Sequence, residues 1–349
     1  MPENRNDYLI MAGNVPVAEW KDGRLTVLND ALLPLYLKRV HNAELWLETR
    51  AIDSHRANSR LLKKALRLRE RDDISTVLHV NGATITDRYW IKPADSTLCY
   101  EDIRFDNDYF AGLALRGTYA SFDRAARSAH SRTPELTNIG SFEKCWKLVN
   151  GQWWMYKAAS HDEMFSELFI CAFGKRLGMR MAEYERGDGY VKSRDFTDAA
   201  AVNFEPAFTF MGDDDDYEAV TERLEQICPN ALPDYIRMIW LDTVTANPDR
   251  HTANFGLLRD ASTGELLGLA PLFDHNMALI SRGYPGVPRR SDLLITLFND
   301  LLSENPSFRT YLPTVTPEIV RDTAASLHMR VRTQQIVDLI CARDALIKR

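Results

Sequence analysis

The stretch that most limits what this chain can fold into is "SFEKCWKLVNGQWWMYKAA", residues 141–159. Two aromatic-rich runs flank Asn150 and Gly151, and Asn-Gly between such runs signals a tight two-residue turn joining antiparallel strands. The chain then goes directly into "HDEMFSELFICAFGKRLGM", 161–179, where Met164, Leu168, Cys171 and Ala172 recur at helical spacing. Asp162 and Glu163 occupy the first turn of this predicted helix and Gly178 marks its end. A hairpin feeding a helix is the start of an α+β fold.

The flanking segments extend the pattern. "SRTPELTNIG" (131–140) is loop-like, with Pro134 and Gly140 as breakers, and "YVKSRDF" (190–196) reads as one more short strand. From about residue 217 the chain is mostly helical. In "LPDYIRMIWLDTVTA" (232–246), Ile236, Ile239, Trp240 and Val244 share one face, and the helix is expected to stop at Asn247-Pro248. "NFGLLRD", the turn "ASTG" and "ELLGLAPLFD" form a second expected hairpin, ending at Asp274. The remainder reads as helices joined by Pro-containing loops. The expected division is an N-terminal accessory α/β region over 1–130, a β-rich lobe with one helix over 131–198, and a mostly helical lobe over 199–349.

Two charged runs take bland readings. "NSRLLKKALRLRER" (58–71) is read as a helix with a solvated cationic face rather than a site for an anionic partner. "DDDD" (213–216) is read as a loop or helix start, because four consecutive carboxylates point in different directions.

Composition removes several function classes. At 349 residues the chain has room for two or three domain-sized units, and 45% hydrophobic with 26% charged residues is globular, not disordered. A net charge of −6 argues against nucleic acid as the main partner. Five scattered cysteines without a C-x-x-C pair fit reduced thiols and supply no zinc framework. With no apolar run of the roughly 20 residues a membrane helix needs, and no signal-peptide order in "MPENRNDYLI", the expected place is the cytoplasm.

The chemistry lies in the order of polar residues along this frame. Lys157 ends an apolar strand, where it could reach phosphate oxygens, and Glu163 and Glu167 lie one helical turn apart, so that one of them could fix its position. Farther on, "NPDRHTANFG" (247–256) puts Asp249 and Asn254 five positions apart, the D-x-x-x-x-N spacing of a kinase catalytic loop. In such a loop the Asp receives or orients the proton of the acceptor hydroxyl and the Asn binds a metal. Asp274, directly after "PLF", reads as a second metal ligand, and His251 as a brace for the loop. The parts match phosphoryl transfer in a two-lobed kinase. A competing reading is a metal-dependent phosphoesterase using Asp249, His251, Asp274 and His275 around two metals, which leaves Lys157 idle. Another is a pseudokinase or nucleotide-binding scaffold that holds ATP without turnover.

"NPDRHTANFG" and "LAPLFDHN", together with "TDRYWIKP" and "LTNIGSFEKCWKL", resemble the HipA-like serine/threonine kinase family, including its shorter cell-translocating branch. The resemblance covers roughly residues 81–280 and implies a two-lobed protein-kinase-like fold using ATP and Mg²⁺. It makes Gly140, Ser141 and Lys144 the phosphate-loop region, Lys157 the ATP-phosphate lysine and Glu167 its helix partner, since Glu167 stands 11 positions before Gly178. Asp249 becomes the catalytic aspartate, with Asn254 and Asp274 the Mg²⁺ ligands. Thr137 stands where family members can carry an autophosphorylated serine, and Ser141 is a second candidate for that modification. The implied partners are a protein substrate and an antitoxin or regulatory protein; the translocating branch leaves a non-classical export route open. A single Gly140 departs from the G-x-G-x-x-G of ordinary protein kinases. The first 80 residues match no feature of the family.

Overall fold

A computed structural model describes residues 7–53, 56–68, 72–118 and 130–348. Their contacts gather into two compact units. One comprises Met1–Ala158, Lys192–Glu205 and Arg259–Glu265; the other comprises Ala159–Val191, Pro206–Leu258 and Leu266–Arg349.

The first unit opens with a four-stranded antiparallel sheet ordered β3-β2-β1-β4, from β1 (Tyr8–Ala12), β2 (Val15–Lys21), β3 (Arg24–Val27) and β4 (Tyr89–Pro93). Asp22 and Gly23 both take positive φ, 48° and 73°, in the two-residue turn between β2 and β3. Side chains alternate across a strand, so the sheet carries a core on each face. Ile10, Val17 and Ile91 pack with Leu33, Leu37, Leu47 and Val77 on one. Met11 and Trp90 pack on the other with Val80, Leu136, Trp146 and Trp153. The last two belong to the hairpin of β5 (Lys144–Val149) and β6 (Gln152–Ala158), which turns at Asn150 and Gly151 with φ of 51° and 78°, as the Asn-Gly signal requires. The predicted basic helix forms over Ser59–Ala65 with Leu62 buried; residues 69–71 of that stretch lie outside the described residues.

A buried charge cluster ties this unit together. The Glu205 carboxylate accepts from the Tyr89 hydroxyl at 2.8 Å, Arg259 Nη1 at 3.0 Å and the Leu35 N–H at 3.3 Å. Arg259 also donates to the carbonyls of Leu33, Gly264 and Ala31. With every partner in place, the desolvation of both ions is offset by hydrogen bonds.

In the second unit the helix His161–Arg176 is capped by Ser160, whose hydroxyl takes the Glu163 N–H while the Glu163 carboxylate takes the Ser160 N–H at 2.7 Å. It is buried along most of its length. Phe165, Phe169 and Phe173 stack at 5.5 and 5.6 Å, and Phe173 continues onto Trp240 of the helix Leu232–Thr245 at 6.4 Å. Ile236, Ile239, Trp240 and Val244 are all buried, but the helix ends at Thr245, before the expected stop, because Ala246 turns into the left-handed region at φ 52°. The helices Pro317–Ser326 and Thr333–Ala345 pack on each other and complete the helical core.

In the second half the expected strand at 190–196 and the second hairpin form, with two strands the sequence reading did not include and one correction. Tyr184–Arg186 and Tyr190–Arg194 are β7 and β8, and Val202–Pro206 is β9. Gly256–Asp260 (β10) and Leu266–Leu269 (β11) are the second hairpin. The hairpin stops at Leu269, so Asp274 sits in the irregular segment beyond it rather than at its end. The acidic run ends as a helix start: Asp216 caps Tyr217–Ile227 by accepting the N–H groups of Glu218 and Ala219. All five cysteines are free thiols. Among the described residues, no helix is long and apolar enough to cross a membrane.

Candidate functional site

The expected phosphate-side residues Gly140, Ser141, Lys144 and Lys157 belong to the first unit, and Glu167, the expected helix partner of Lys157, belongs to the second. Lys144 and Lys157 are directly opposite in the β5–β6 register, so both ammonium-bearing chains leave the same face of the hairpin. Lys157 Nζ lies 4.7 Å from the centre of the Phe142 ring. Gly140 has φ 109°, a conformation that side chains disfavour, and Lys144 Nζ stands too close to leave room for a Cβ there. The loop ahead of the hairpin is held from beneath. Arg56 donates to the carbonyls of Asn138 at 2.9 Å and Lys144 at 2.5 Å, and Glu135 accepts from the Trp146 N–H at 2.7 Å. Of the two candidate modification sites, Ser141 is exposed. Thr137 is buried, its hydroxyl donating to the Ala83 carbonyl at 2.6 Å.

The expected catalytic residues belong to the second unit, on the loop that follows the Leu232–Thr245 helix. The Asn247 side chain accepts the Asp249 N–H at 3.1 Å and donates to Asp242 at 2.7 Å. Asn254 Nδ2 donates to the Asp249 carbonyl at 2.9 Å, so that hydrogen bond engages the amide nitrogen and not Oδ1. No described residue donates to that oxygen or to the half-buried Asp249 carboxylate. The loop thus holds its own backbone and leaves two oxygen ligands uncommitted. The exposed His251 stabilises the tight bend, its N–H reaching the Asp249 carbonyl at 3.0 Å and its carbonyl receiving the Asn254 N–H at 2.8 Å.

Arg250 is the hub beneath. It donates to Asp242 at 2.7 and 3.1 Å, to the Asn254 carbonyl at 2.5 Å, to the Phe273 carbonyl at 2.8 Å and to His275 Nδ1 at 3.0 Å. One planar fork therefore joins a helix, the Asp249 loop and the Asp274 segment. Burial alone would raise the Asp242 carboxyl; the adjacent Arg250 guanidinium outweighs it and brings it down to about 2. Accepting at Nδ1 leaves the His275 proton on Nε2, which is buried without a hydrogen-bond partner.

Asp274 is fixed from its other side. Its N–H donates to the Tyr184 hydroxyl at 3.0 Å, and the next N–H, of His275, donates to Glu167 at 2.9 Å. The Tyr184 hydroxyl is held far above its ordinary range by burial and by the Glu167 and Asp274 carboxylates, with Glu167 accepting its proton in a hydrogen bond. Glu167 is 1% exposed. Glu163 and Glu167 therefore do different things: one caps the helix, the other anchors the Asp274 segment. Asp274 itself has φ 60°, strained for a side-chain-bearing residue and held by these contacts.

These donors fit one kind of metal. An amide oxygen and carboxylates are hard ligands suited to Mg²⁺, which commonly completes its shell with substrate phosphates and water. Among the described residues no group of three or more His, Cys, Asp and Glu gathers around a metal position. The phosphoesterase reading needs such a group and needs His275 as a ligand, a role its tautomer and burial deny it. Reasoning from sequence missed Asp242, Asn247, Arg250 and Tyr184. Arg250 lay inside the quoted motif, and Asp242, a carboxylate in the middle of an apolar helix, was the remaining signal.

No protein-family model matches the chain, and no curated protein matches it. Solved structures do. HipA of Shewanella oneidensis MR-1, in a structure of the toxin–antitoxin system HipA, HipB and its operator DNA, aligns over 97% of this chain and 97% of its own at a TM-score of 0.57 and 11% identity. The Helicobacter pylori proinflammatory kinase CtkA aligns over 58% of this chain and 90% of its own, at a TM-score of 0.43 and 19% identity. The likeness to HipA shows the fold: the chain has the HipA-like, protein-kinase-like α+β architecture over nearly its whole length.

Proposed function

We propose that this chain is an ATP- and Mg²⁺-dependent serine/threonine protein kinase of HipA-like type, transferring the γ-phosphate to a hydroxyl of a protein. The observation that carries the reading is the Asp249–Asn254 loop, in which a braced backbone presents an uncommitted carboxylate and an uncommitted amide oxygen.

When bound, Mg²⁺-ATP supplies the transferable phosphoryl group and a leaving group whose charge the ion neutralises. The residues of the chain then have separate tasks. Asp249 takes a hydrogen bond from the acceptor hydroxyl and receives its proton as the bond to phosphorus forms. Asn254 Oδ1 and the Asp274 carboxylate hold the ion. Lys144 and Lys157, opposite each other in the hairpin register, meet phosphate oxygens. Glu167, Tyr184 and Arg250 act through the backbone, keeping Asp274 and Asn254 in place before substrate arrives. Autophosphorylation falls on the exposed Ser141; Thr137 becomes an acceptor only after its hydroxyl leaves the Ala83 carbonyl. The Shewanella HipA was solved with HipB, and the same reading gives this chain a regulatory protein partner of antitoxin type.

The test is incubation of the purified protein with Mg²⁺ and γ-labelled ATP, beside Asp249→Asn, with phosphosite mapping. Label on the wild type and none on the variant is expected. Absence of ATP binding would overturn the proposal, and binding without transfer to itself or to any protein of a lysate would make the chain a nucleotide-binding scaffold.

A further inference from the structure

The second unit carries a cleft of about 520 Å³ beside the catalytic loop, with Asn247 and Pro248, the two residues ahead of Asp249, in its wall. One side is the helix Leu293–Glu304, which buries Ile295, Phe298 and Leu302 and yet shows a second apolar face. On that face Leu293 is 70% exposed and Leu297 42% exposed, one turn apart, and both line the cleft. Asp300 and Glu304 continue the same stripe, since the positions 293, 297, 300 and 304 recur every three or four residues.

The other side is the run Asp213–Asp216 with Glu218, so seven carboxylates line the space. The cation among the lining residues, Arg250, is already engaged by Asp242. The crowding bears on one residue in particular. The Glu218 carboxyl is raised from its ordinary value, first by Glu304 on the facing helix and then by burial and its acidic neighbours. A positively charged guest would relieve that crowding.

The combination selects the guest. A bare cation has no use for two exposed leucines, and the carboxylates repel nucleic acid and anionic lipid. A polypeptide with basic and apolar side chains satisfies both walls, and charge complementarity of this kind steers and orders protein association. We infer that the cleft docks a cationic segment of the protein substrate, seating an apolar side chain on Leu293 and Leu297 and lysine or arginine against the acidic rim. The delivery of a neighbouring hydroxyl to Asp249 rests on the kinase reading; the docking does not.

The experiment uses the full chain without nucleotide. The probe is a fluorescein-labelled peptide of arginines and leucines around one serine, compared with the same peptide carrying glutamates for the arginines. Two double variants, Leu293→Ser with Leu297→Ser and Asp300→Asn with Glu304→Gln, change only exposed side chains, and a thermal melt verifies their folding. The basic peptide should bind with salt-sensitive affinity, and each double variant should weaken it about tenfold or more. Equal binding of the acidic peptide, or undiminished binding by both variants, overturns the inference. So does displacement of the peptide by Ca²⁺ at an affinity the leucine variant leaves unchanged, which would make the rim a cation site. Addition of Mg²⁺-ATP separates the two proposals. Docking of the peptide by a chain that neither binds ATP nor labels itself or any protein of a lysate sinks the kinase reading alone, and phosphate on the serine at unaltered KM in both variants sinks the docking alone.

Discussion

Arg250 and Asp242 form a two-point ion pair, Nε to Oδ2 at 2.7 Å and Nη2 to Oδ1 at 3.1 Å, with side chains only 5% and 1% exposed. The pair joins the Leu232–Thr245 helix to the loop bearing Asp249, and the remaining donors of Arg250 reach the Asn254 and Phe273 carbonyls. The geometry of the candidate site thus depends on an ion pair that touches no substrate.

Removing one member of such a pair leaves a charge buried without compensation. Asp242→Ala is expected to lower the stability of the second unit by about 3–5 kcal/mol, read as a lower urea midpoint. Arg250→Lys keeps the charge but loses the fork. It should fold and show transfer reduced together with Mg²⁺ affinity, because the Asn254 and Phe273 carbonyls lose their shared donor.

Asp249→Asn should behave in the opposite way. Its carboxylate holds nothing in the fold, so stability should change by less than about 0.5 kcal/mol. Loss of the proton acceptor should slow phosphoryl transfer by about 10²–10⁴-fold. A melting temperature that falls with the activity would show Asp249 to be structural.

Glu163 and Glu167 divide a role that spacing alone could not assign. Glu163→Ala removes half of a capping box and should cost about 0.5–1 kcal/mol with transfer unchanged. Glu167→Ala leaves the buried His275 N–H without its acceptor, costing about 1–3 kcal/mol, and frees the Asp274 segment. Its transfer rate should fall and its Mg²⁺ requirement rise. Both are read by thermal unfolding alongside a Mg²⁺ titration of activity.

Local chemistry made much of the chain from residue 141 onward legible. Asn150-Gly151 fixed a turn because few other pairs accept two positive φ angles, and the apolar spacing of 161–176 and 232–245 marked two buried helices. The loop motif was visible because Asp249 and Asn254 are near neighbours. Arg250 was inside the quoted motif but its task was not visible, since its partners at 242, 273 and 275 meet it only in three dimensions. Asp22-Gly23 carried the same turn signal as Asn150-Gly151, between runs too short and mixed to stand out. The early end of the Leu232–Thr245 helix depends on Ala246 adopting a conformation that alanine disfavours, and no sequence pattern announces it.

Glu135 gives the loop before Gly140 a pH dependence with a definite sign. Burial raises its carboxyl to about 7, against smaller opposing effects from Asn138, the Trp146 N–H, Arg56 and Lys144. Its folded value lies above the unfolded one, so the folded state binds more protons in the interval between them. The associated stability is fully present below the unfolded value, near 4.5, and is lost as pH rises through about 7. Unfolding free energy of the first unit should therefore fall from weakly acid to weakly alkaline solution, with a slope of at most about 1.4 kcal/mol per pH unit. Glu135→Gln removes the titration while keeping an oxygen for the Trp146 N–H, and should flatten the profile. Urea midpoints measured across that range decide it: a wild-type curve as flat as the variant's would mean that Arg56 keeps Glu135 ionised throughout.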